Sequence, residues 1–307
     1  MKKIGVIINP HAKIIRKNKK HLQLYQKLHG DHVDINITET LDDVEKVMNR
    51  FKKEDISYLA IVGGDGSIHN VITKAVNVYS PGNVPDIVIL KGGTMNNIAR
   101  SLGLKGKGPH ILKRLVNKIQ EGKNIDILER DTMKIQDCYC FIFGTGLITN
   151  FLKEVYKYEK GWIANIIAIS KTLAQGMFKL GKSDLFKGIE AKVFVDNKPL
   201  EFDSISAILG GTVESISNGI NTMARANDEK FKFNMMISGL RPMKMILKLH
   251  KLLRGKPIKN PYLRNLMLSS MRIETENGFD YTMDGDMFFA EKELHIEIGE
   301  RLKFVYV

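Results

Sequence analysis

Cysteine is nearly absent from this chain of 307 residues, with Cys138 and Cys140 as its only two. On a strand, their C-x-C spacing puts both side chains on one face, with carbons too splayed to bridge comfortably. A disulfide scaffold is excluded, and a metal site would need further ligands that the neighbouring sequence does not offer. The pair reads as two reduced core thiols. Long apolar runs are missing too: none reaches the roughly eighteen residues a membrane-spanning helix needs. The start, Met1-Lys2-Lys3, is basic, but the apolar stretch Ile4–Ile8 is too short for a secretory core and runs into Asn9-Pro10. It reads as a buried strand, and the protein is expected to be cytoplasmic. Aromatics make up only 8% and do not interleave with basic residues, so no nucleic-acid partner is expected. Neither a low-complexity segment nor an internal repeat occurs.

Acidic residues are the minority charge, 34 against 47 Lys and Arg, for a net charge of +13. That balance favours anionic partners, and an acidic membrane surface suits the apolar segments described below. With 43% hydrophobic and 26% charged residues, the composition is globular, and the length allows two domains with their own cores.

The first third alternates strand and helix patterns. Strands are expected at Ile4–Ile8, Val33–Ile37, Tyr58–Val62 and Ile87–Leu90. Helices are expected at His21–Leu28, Asp42–Phe51, Ile68–Val78, Asn96–Ser101 and Pro109–Glu121. This order implies an α/β, doubly wound parallel-sheet domain over residues 1–128. From about Ile125 strand-like pieces follow one another: Ile125–Leu128, Thr132–Gln136, Tyr139–Phe143, Ile189–Val195, Ser204–Leu209, Phe231–Ile237, Leu268–Thr275, Tyr281–Met283, Glu293–Ile298 and Leu302–Val307. Residues 129–290 are therefore expected to form an antiparallel β-sandwich-like domain with helical insertions near 150–180 and 240–254. The strands of 291–307 are expected to return to the N-terminal domain.

The strongest local signal is Gly63-Gly64-Asp65-Gly66-Ser67, a glycine-rich turn between a buried strand and a helix. Glycines let the backbone approach a ligand closely, Ser67 can cap the helix, and the helix N-terminus favours an anion. Asp65 is the anomaly, because a carboxylate repels phosphate unless it handles Mg²⁺ or a proton. A second loop of the same kind, Lys91-Gly92-Gly93-Thr94-Met95-Asn96, follows the next strand, and Asn9-Pro10 follows the first. In a doubly wound sheet such loops meet in one crevice, which points to a nucleotide site. Gly176–Ser183 matches the P-loop pattern letter for letter, but the stretch before it, Trp162–Gln175, has helical length. That context rejects it.

Late in the chain, Asp284-Gly285-Asp286 follows a strand in a turn, a place from which a carboxylate can take a proton from a hydroxyl nucleophile. Arg241–Arg254 reads as an amphipathic helix with Lys244, Lys248 and Lys251 on one face, the profile of a helix at a membrane interface. A helix packed on the β domain with its lysines in water is the other reading. Trp162–Leu180 either lines an acyl-chain pocket or is core.

These residues together resemble the diacylglycerol kinase catalytic family, which includes sphingosine, ceramide and bacterial lipid kinases. The matching pieces are Asn9-Pro10, Gly63–Ser67, Gly92–Asn96 and Asp284-Gly285-Asp286. The glycine loop alone is shared with NAD kinases and phosphofructokinase-like proteins. The resemblance implies a nucleotide domain, a β-sandwich-like domain and a cleft between them. It implies a kinase that transfers a phosphoryl group from ATP, with Mg²⁺, to the hydroxyl of a diacylglycerol-, sphingoid- or ceramide-like lipid at a membrane surface.

By the same resemblance Asn9, Pro10 and Thr38 contact the nucleotide, and Gly63, Gly64, Gly66 and Ser67 wrap its phosphates. Gly93, Thr94 and Asn96 lie beside them. Asp65 and Asp126 arrange Mg²⁺ through water, and Asp286 is the general base. The departures from the family pattern are Ser67 for Thr, Asn70 where Glu is common, Asn97 where Asp is common, and Asp286 for Glu. An NAD-kinase-like small-molecule kinase and a non-catalytic lipid-binding protein remain alternatives, and a homodimer is left open.

Overall fold

The structure, a computed structural model, describes residues 3–93, 96–156, 187–202, 204–215, 221–241, 244, 248, 251, 254, 258 and 260–307. The chain divides into two compact units. One comprises Met1–Phe141, Ser215–Asn218 and Gly299–Val307, and the other comprises Ile142–Glu214 and Gly219–Ile298.

In the first unit strands and helices alternate: β1 (Ile4–Ile8), α1 (Lys13–Lys17), α2 (Lys19–Gln26), β2 (Val33–Ile37), α3 (Leu41–Lys53), β3 (Tyr58–Val62), α4 (Asp65–Tyr79), β4 (Asp86–Ile89), α5 (Asn97–Ser101) and α6 (Gly108–Gln120). β5 (Asp126–Ile135) and β6 (Cys138–Cys140) close the series. The second unit carries β7 (Ile142–Gly146), α7 (Leu147–Tyr156), β8 (Lys192–Val195), β9 (Lys198–Leu200), β10 (Ala207–Gly211), β11 (Phe233–Ser238), β12 (Leu263–Leu268), β13 (Ser270–Glu274), β14 (Phe279–Met283) and β15 (Asp286–Ala290). A last strand, β16 (Glu293–Tyr306), starts in the second unit and ends in the first.

Four strands of the first unit run in the order β2-β1-β3-β4, all parallel, with Ile4 opposite both Val33 and Tyr58, and Tyr58 opposite Asp86. The end of β16 extends this sheet in parallel at Phe304 opposite Ile87. Every residue of β1 and β3 is buried, as expected for strands covered on both faces. On one face Ile4, Val6, Tyr58 and Ala60 pack with Ile15, Tyr25, Ile111 and Leu115. The other face takes α3, whose Phe51 lies where a Cβ on Gly5 would stand, at 2.5 Å. Because β2 lies to one side of β1 and β3 to the other, the β1/β3 boundary is the topological switch point, where a crevice opens at the carboxyl ends.

The second unit is antiparallel. One sheet has the order β12-β11-β10-β7-β14-β15. A smaller ladder joins the start of β16 to β13, β8 and β9, with Ser270 opposite Glu297, Met271 opposite Val195 and Val193 opposite Leu200. The α/β class and the antiparallel partner are as the patterning implied. Several elements differ. β5 is one strand across Glu129–Asp131, not two, because Arg301 pairs with Glu129 at 3.1 Å and Asp131 at 2.8 Å and satisfies that polar interruption. β16 is likewise continuous through Gly299, whose missing side chain leaves room for the Thr132 hydroxyl, bonded to the Glu300 carbonyl at 2.8 Å. The expected strand Tyr139–Phe143 is two, β6 and β7. β9, β12 and β15 carry no clear apolar alternation and were not expected. Cys140 is core, whereas Cys138 is half-buried, which raises its thiol pKa through desolvation first and Asp137 second. The P-loop-like Gly176–Ser183 and the stretch Trp162–Leu180 lie outside the described residues.

Candidate active site

Three loops leave the carboxyl ends of β1, β3 and β4, and backbone contacts bind them together. The Asn9 amide N–H donates to the Val62 carbonyl at 3.0 Å, and its side chain donates from Nδ2 to the Ser67 hydroxyl at 2.8 Å. Its Oδ1 accepts the His11 N–H at 2.8 Å, closing a tight turn through Pro10. The Gly92 N–H donates to the Gly63 carbonyl at 2.8 Å, and the Gly92 carbonyl accepts from Ile14 of α1 at 3.1 Å. The second glycine loop thus lies directly on the first. A Cβ on Gly93 would stand 2.6 Å from Gly64 Cα, and one on Gly92 2.9 Å from Gly63 N. Only residues without side chains permit that approach.

Asn96, in the left-handed region at φ 48, locks the second loop by accepting the Gly93 N–H and donating to the Gly93 carbonyl, both at 3.0 Å. Asp65 Oδ1 accepts the Ile98 N–H of α5 at 3.2 Å, so this carboxylate braces the two loops against each other. Thr94 lies outside the described residues. Thr38, after β2, bonds the end of β1 through its N–H (3.0 Å to Ile8 O), and its side chain is only 4% exposed.

The helix after the first loop starts earlier than its apolar pattern implied. Gly64, not Ser67, is the N-cap of α4, with no side-chain cap, and Ser67 sits inside the first turn. The Ser67 hydroxyl serves Asn9 instead, a correction to the expected capping role. First-turn N–H groups of a helix have no intrahelical acceptor, and the dipole adds positive potential there. Gly64, Asp65, Gly66 and Ser67 are partly exposed at that end. A helix N-terminus at a sheet switch point is suited to an anion. Behind it, α4 is fixed by buried His69, whose Nδ1–H donates to the Tyr139 carbonyl at 2.9 Å; a carbonyl can only accept, so this nitrogen carries the proton.

Lys91, quoted in the second loop but given no role there, donates to the Leu104 carbonyl; burial first and Arg100 second push its pKa down. Asp126 opens β5 with a side chain 77% exposed, 4.0 Å from Lys118. No group of three His, Cys, Asp or Glu able to hold a metal occurs among the described residues, so Asp65 and Asp126 do not belong to such a cluster. Mg²⁺ is commonly held by one or two carboxylates together with substrate phosphates, and the single carboxylate at Asp65 fits that mode.

In the second unit the two acids of the late turn part company. Asp284 (φ 50) and Gly285 (φ 101) form the two-residue loop of the hairpin in which Met283 faces Asp286. Two positive φ values in succession define a type I′ turn, for which Asp-Gly is a preferred pair. Asp284 is 8% exposed; its Oδ1 accepts the Ile142 N–H at 2.8 Å, and its own N–H donates to the Ile142 carbonyl at 2.9 Å. It holds the hairpin. Asp286, the first residue of β15, is exposed. Tyr156 at the end of α7 donates its hydroxyl to the Gly285 carbonyl, a contact for which the sequence offers no local signal. Among the described residues of the 240–254 segment, Lys244, Lys248 and Lys251 are helical, with Lys244 and Lys251 exposed and Lys248 half-buried.

Fold and site together define a doubly wound α/β domain with two glycine loops packed at the carboxyl end of its sheet, followed in the chain by an antiparallel β domain. Residues 3–128 match the diacylglycerol kinase catalytic domain family. A Citrobacter koseri protein named "Probable lipid kinase YegS-like" is 28% identical over 126 residues, 39% of this chain and 40% of that protein. A Salmonella heidelberg protein named "Probable lipid kinase YegS" is 25% identical over 144 residues, 45% of each. The chain thus spans about half or less of the curated relatives it matches. A solved structure described as a diacylglycerol kinase from Bacillus anthracis aligns with 100% of this chain and 97% of its own, with a TM-score of 0.68 and 15% identity, a likeness of fold.

Proposed function

We propose that the protein transfers the γ-phosphoryl group of ATP to a hydroxyl of a diacylglycerol-, sphingoid- or ceramide-like lipid. The observation that carries this reading is the packing of Gly92-Gly93 on Gly63-Gly64 beside the N-terminus of α4. It leaves a backbone surface without side chains, suited to a polyphosphate. Gly63, Gly64, Gly66 and Ser67 hold the phosphates, Asn9 and Asn96 fix the loops, and Asp286 is the base. As the lipid oxygen bonds to the γ-phosphorus, its proton passes to the Asp286 carboxylate, and the bond to the β-phosphate oxygen breaks to release ADP. Mg²⁺ bound with the nucleotide would neutralise charge on the phosphoryl oxygens, and Asp65 would orient it through water.

The family match over residues 3–128 and the names of the relatives support this reading. Among the described residues no helix is long and apolar enough to cross a membrane. We assign Lys244, Lys248 and Lys251 to an anionic lipid surface. Changing all three to Glu should weaken sedimentation with phosphatidylglycerol vesicles by at least about a hundredfold, at roughly 1 kcal/mol per lysine. Unaltered sedimentation would return that helix to a packing role. The activity test is label transfer from γ-labelled ATP into vesicles carrying each lipid, beside NAD as acceptor. Label in NAD but in no lipid would replace the reading with a small-molecule kinase.

A further inference from the structure

We propose that Tyr156 is a positioning residue for the proposed phosphoryl transfer, holding the Asp284-Gly285 turn so that Asp286 keeps one orientation. The proposal rests on the lipid-kinase reading only for its kinetic test; the contact stands apart from it.

The argument begins with α7. Thr149, Lys153 and Tyr156 lie at i, i+4 and i+7 and share one helix face. Each is tied to a fixed point of the second unit. The Thr149 hydroxyl donates to the Gly146 carbonyl at 2.8 Å, where β7 ends, and Lys153 Nζ lies 2.5 Å from Asp280 Oδ2 on β14. The Tyr156 hydroxyl reaches the Gly285 carbonyl. The helix is tied at its start to the end of β7, and at its middle and end to the hairpin that carries Asp286.

The turn needs such a brace. β15 is the edge strand of its sheet, and among the described residues its partner β14 is its only neighbour. On one side Asp284 exchanges hydrogen bonds with Ile142. On the other, Gly285 at φ 101 has no side chain to pack, and a Cβ built there would meet the Tyr156 oxygen at 3.8 Å and nothing nearer. The tyrosine ring is 58% exposed, yet its phenol is held above its ordinary pKa, by desolvation of the hydroxyl first and by Asp286 second. The Asp286 carboxylate thus lies close enough to raise the pKa of the hydroxyl. At neutral pH the phenol stays protonated and keeps donating.

Tyr156→Phe keeps the ring and removes only the donor. In the full-length protein it should lower kcat roughly tenfold and leave KM for ATP unchanged, because a misaimed base acts on chemistry and not on nucleotide binding. In an Asp286→Ala background the same change should cost nothing further. Equal losses in both backgrounds would overturn the proposal, since they would mean the hydroxyl acts on general stability. A second reading needs no activity: amide hydrogen exchange at Gly285 and Asp286 should quicken at least threefold in Tyr156→Phe, with β10 and β11 unchanged. Unchanged exchange in the turn would also overturn it. A wild type inert toward every lipid would sink the kinase reading while leaving the exchange measurement to decide on Tyr156.

Discussion

The two regions given roles in phosphoryl transfer are built on opposite plans. In the first unit the glycine loops after β3 and β4 meet main chain to main chain, and the proposed role falls to N–H groups whose positions the parallel sheet dictates. In the second unit a single carboxylate stands on an edge hairpin, and its placement depends on one turn and the helix beside it. Added volume should damage the first region. Removal of an atom should damage the second.

The largest expected effect belongs to the side-chain region. Asp286→Ala should lower transfer by about a hundredfold to ten-thousandfold, the usual worth of a general base, with ATP affinity kept. Lost ATP affinity would erase the distinction between the regions. Asp65→Ala comes next. Loss of the charge should reduce transfer by about a hundredfold to a thousandfold, while Asp65→Asn, which can still accept the Ile98 N–H, should keep the melting temperature of the wild type. Unchanged activity in Asp65→Ala would remove this residue from the chemistry.

Gly93→Ala tests the backbone region: its new Cβ would lie 2.6 Å from Gly64 Cα, so nucleotide affinity should fall by about a hundredfold by isothermal titration. Gly64→Ala is the paired variant, since its Cβ would find Gly93 Cα at 3.4 Å and its φ of −87 suits any residue; it should keep the melting temperature of the wild type, which Gly93→Ala should lower. Equal effects at the two positions would contradict the packing argument. A smaller loss is expected of Asn9→Ala, which removes two hydrogen bonds worth about 1 kcal/mol each and should raise KM for ATP roughly thirtyfold.

The same contrast governs how much could be read before the structure. Val33–Ile37 and Tyr58–Val62 were read with their observed limits, because strands of a covered parallel sheet are apolar runs ended by turn residues. The glycine loops were readable for the same reason, and their convergence followed from topology. The antiparallel unit was read less well. Glu129 and Asp131 look like a break in β5 until Arg301, about 170 residues on, is seen to pair with them. Ser67 looked like a cap, because neither Asn9 as its partner nor a glycine cap is visible in a local pattern. Tyr156 carried no signal at all, since its meaning arises only where α7 returns along the β14–β15 hairpin.

The account is tested most directly by transfer of label from γ-labelled ATP to diacylglycerol in anionic vesicles, run with wild type, Gly93→Ala and Asp286→Ala. Wild type should label the lipid; Gly93→Ala should regain part of its rate at high ATP, and Asp286→Ala should not. No label in lipid from wild type, together with no measurable ATP binding, would contradict it.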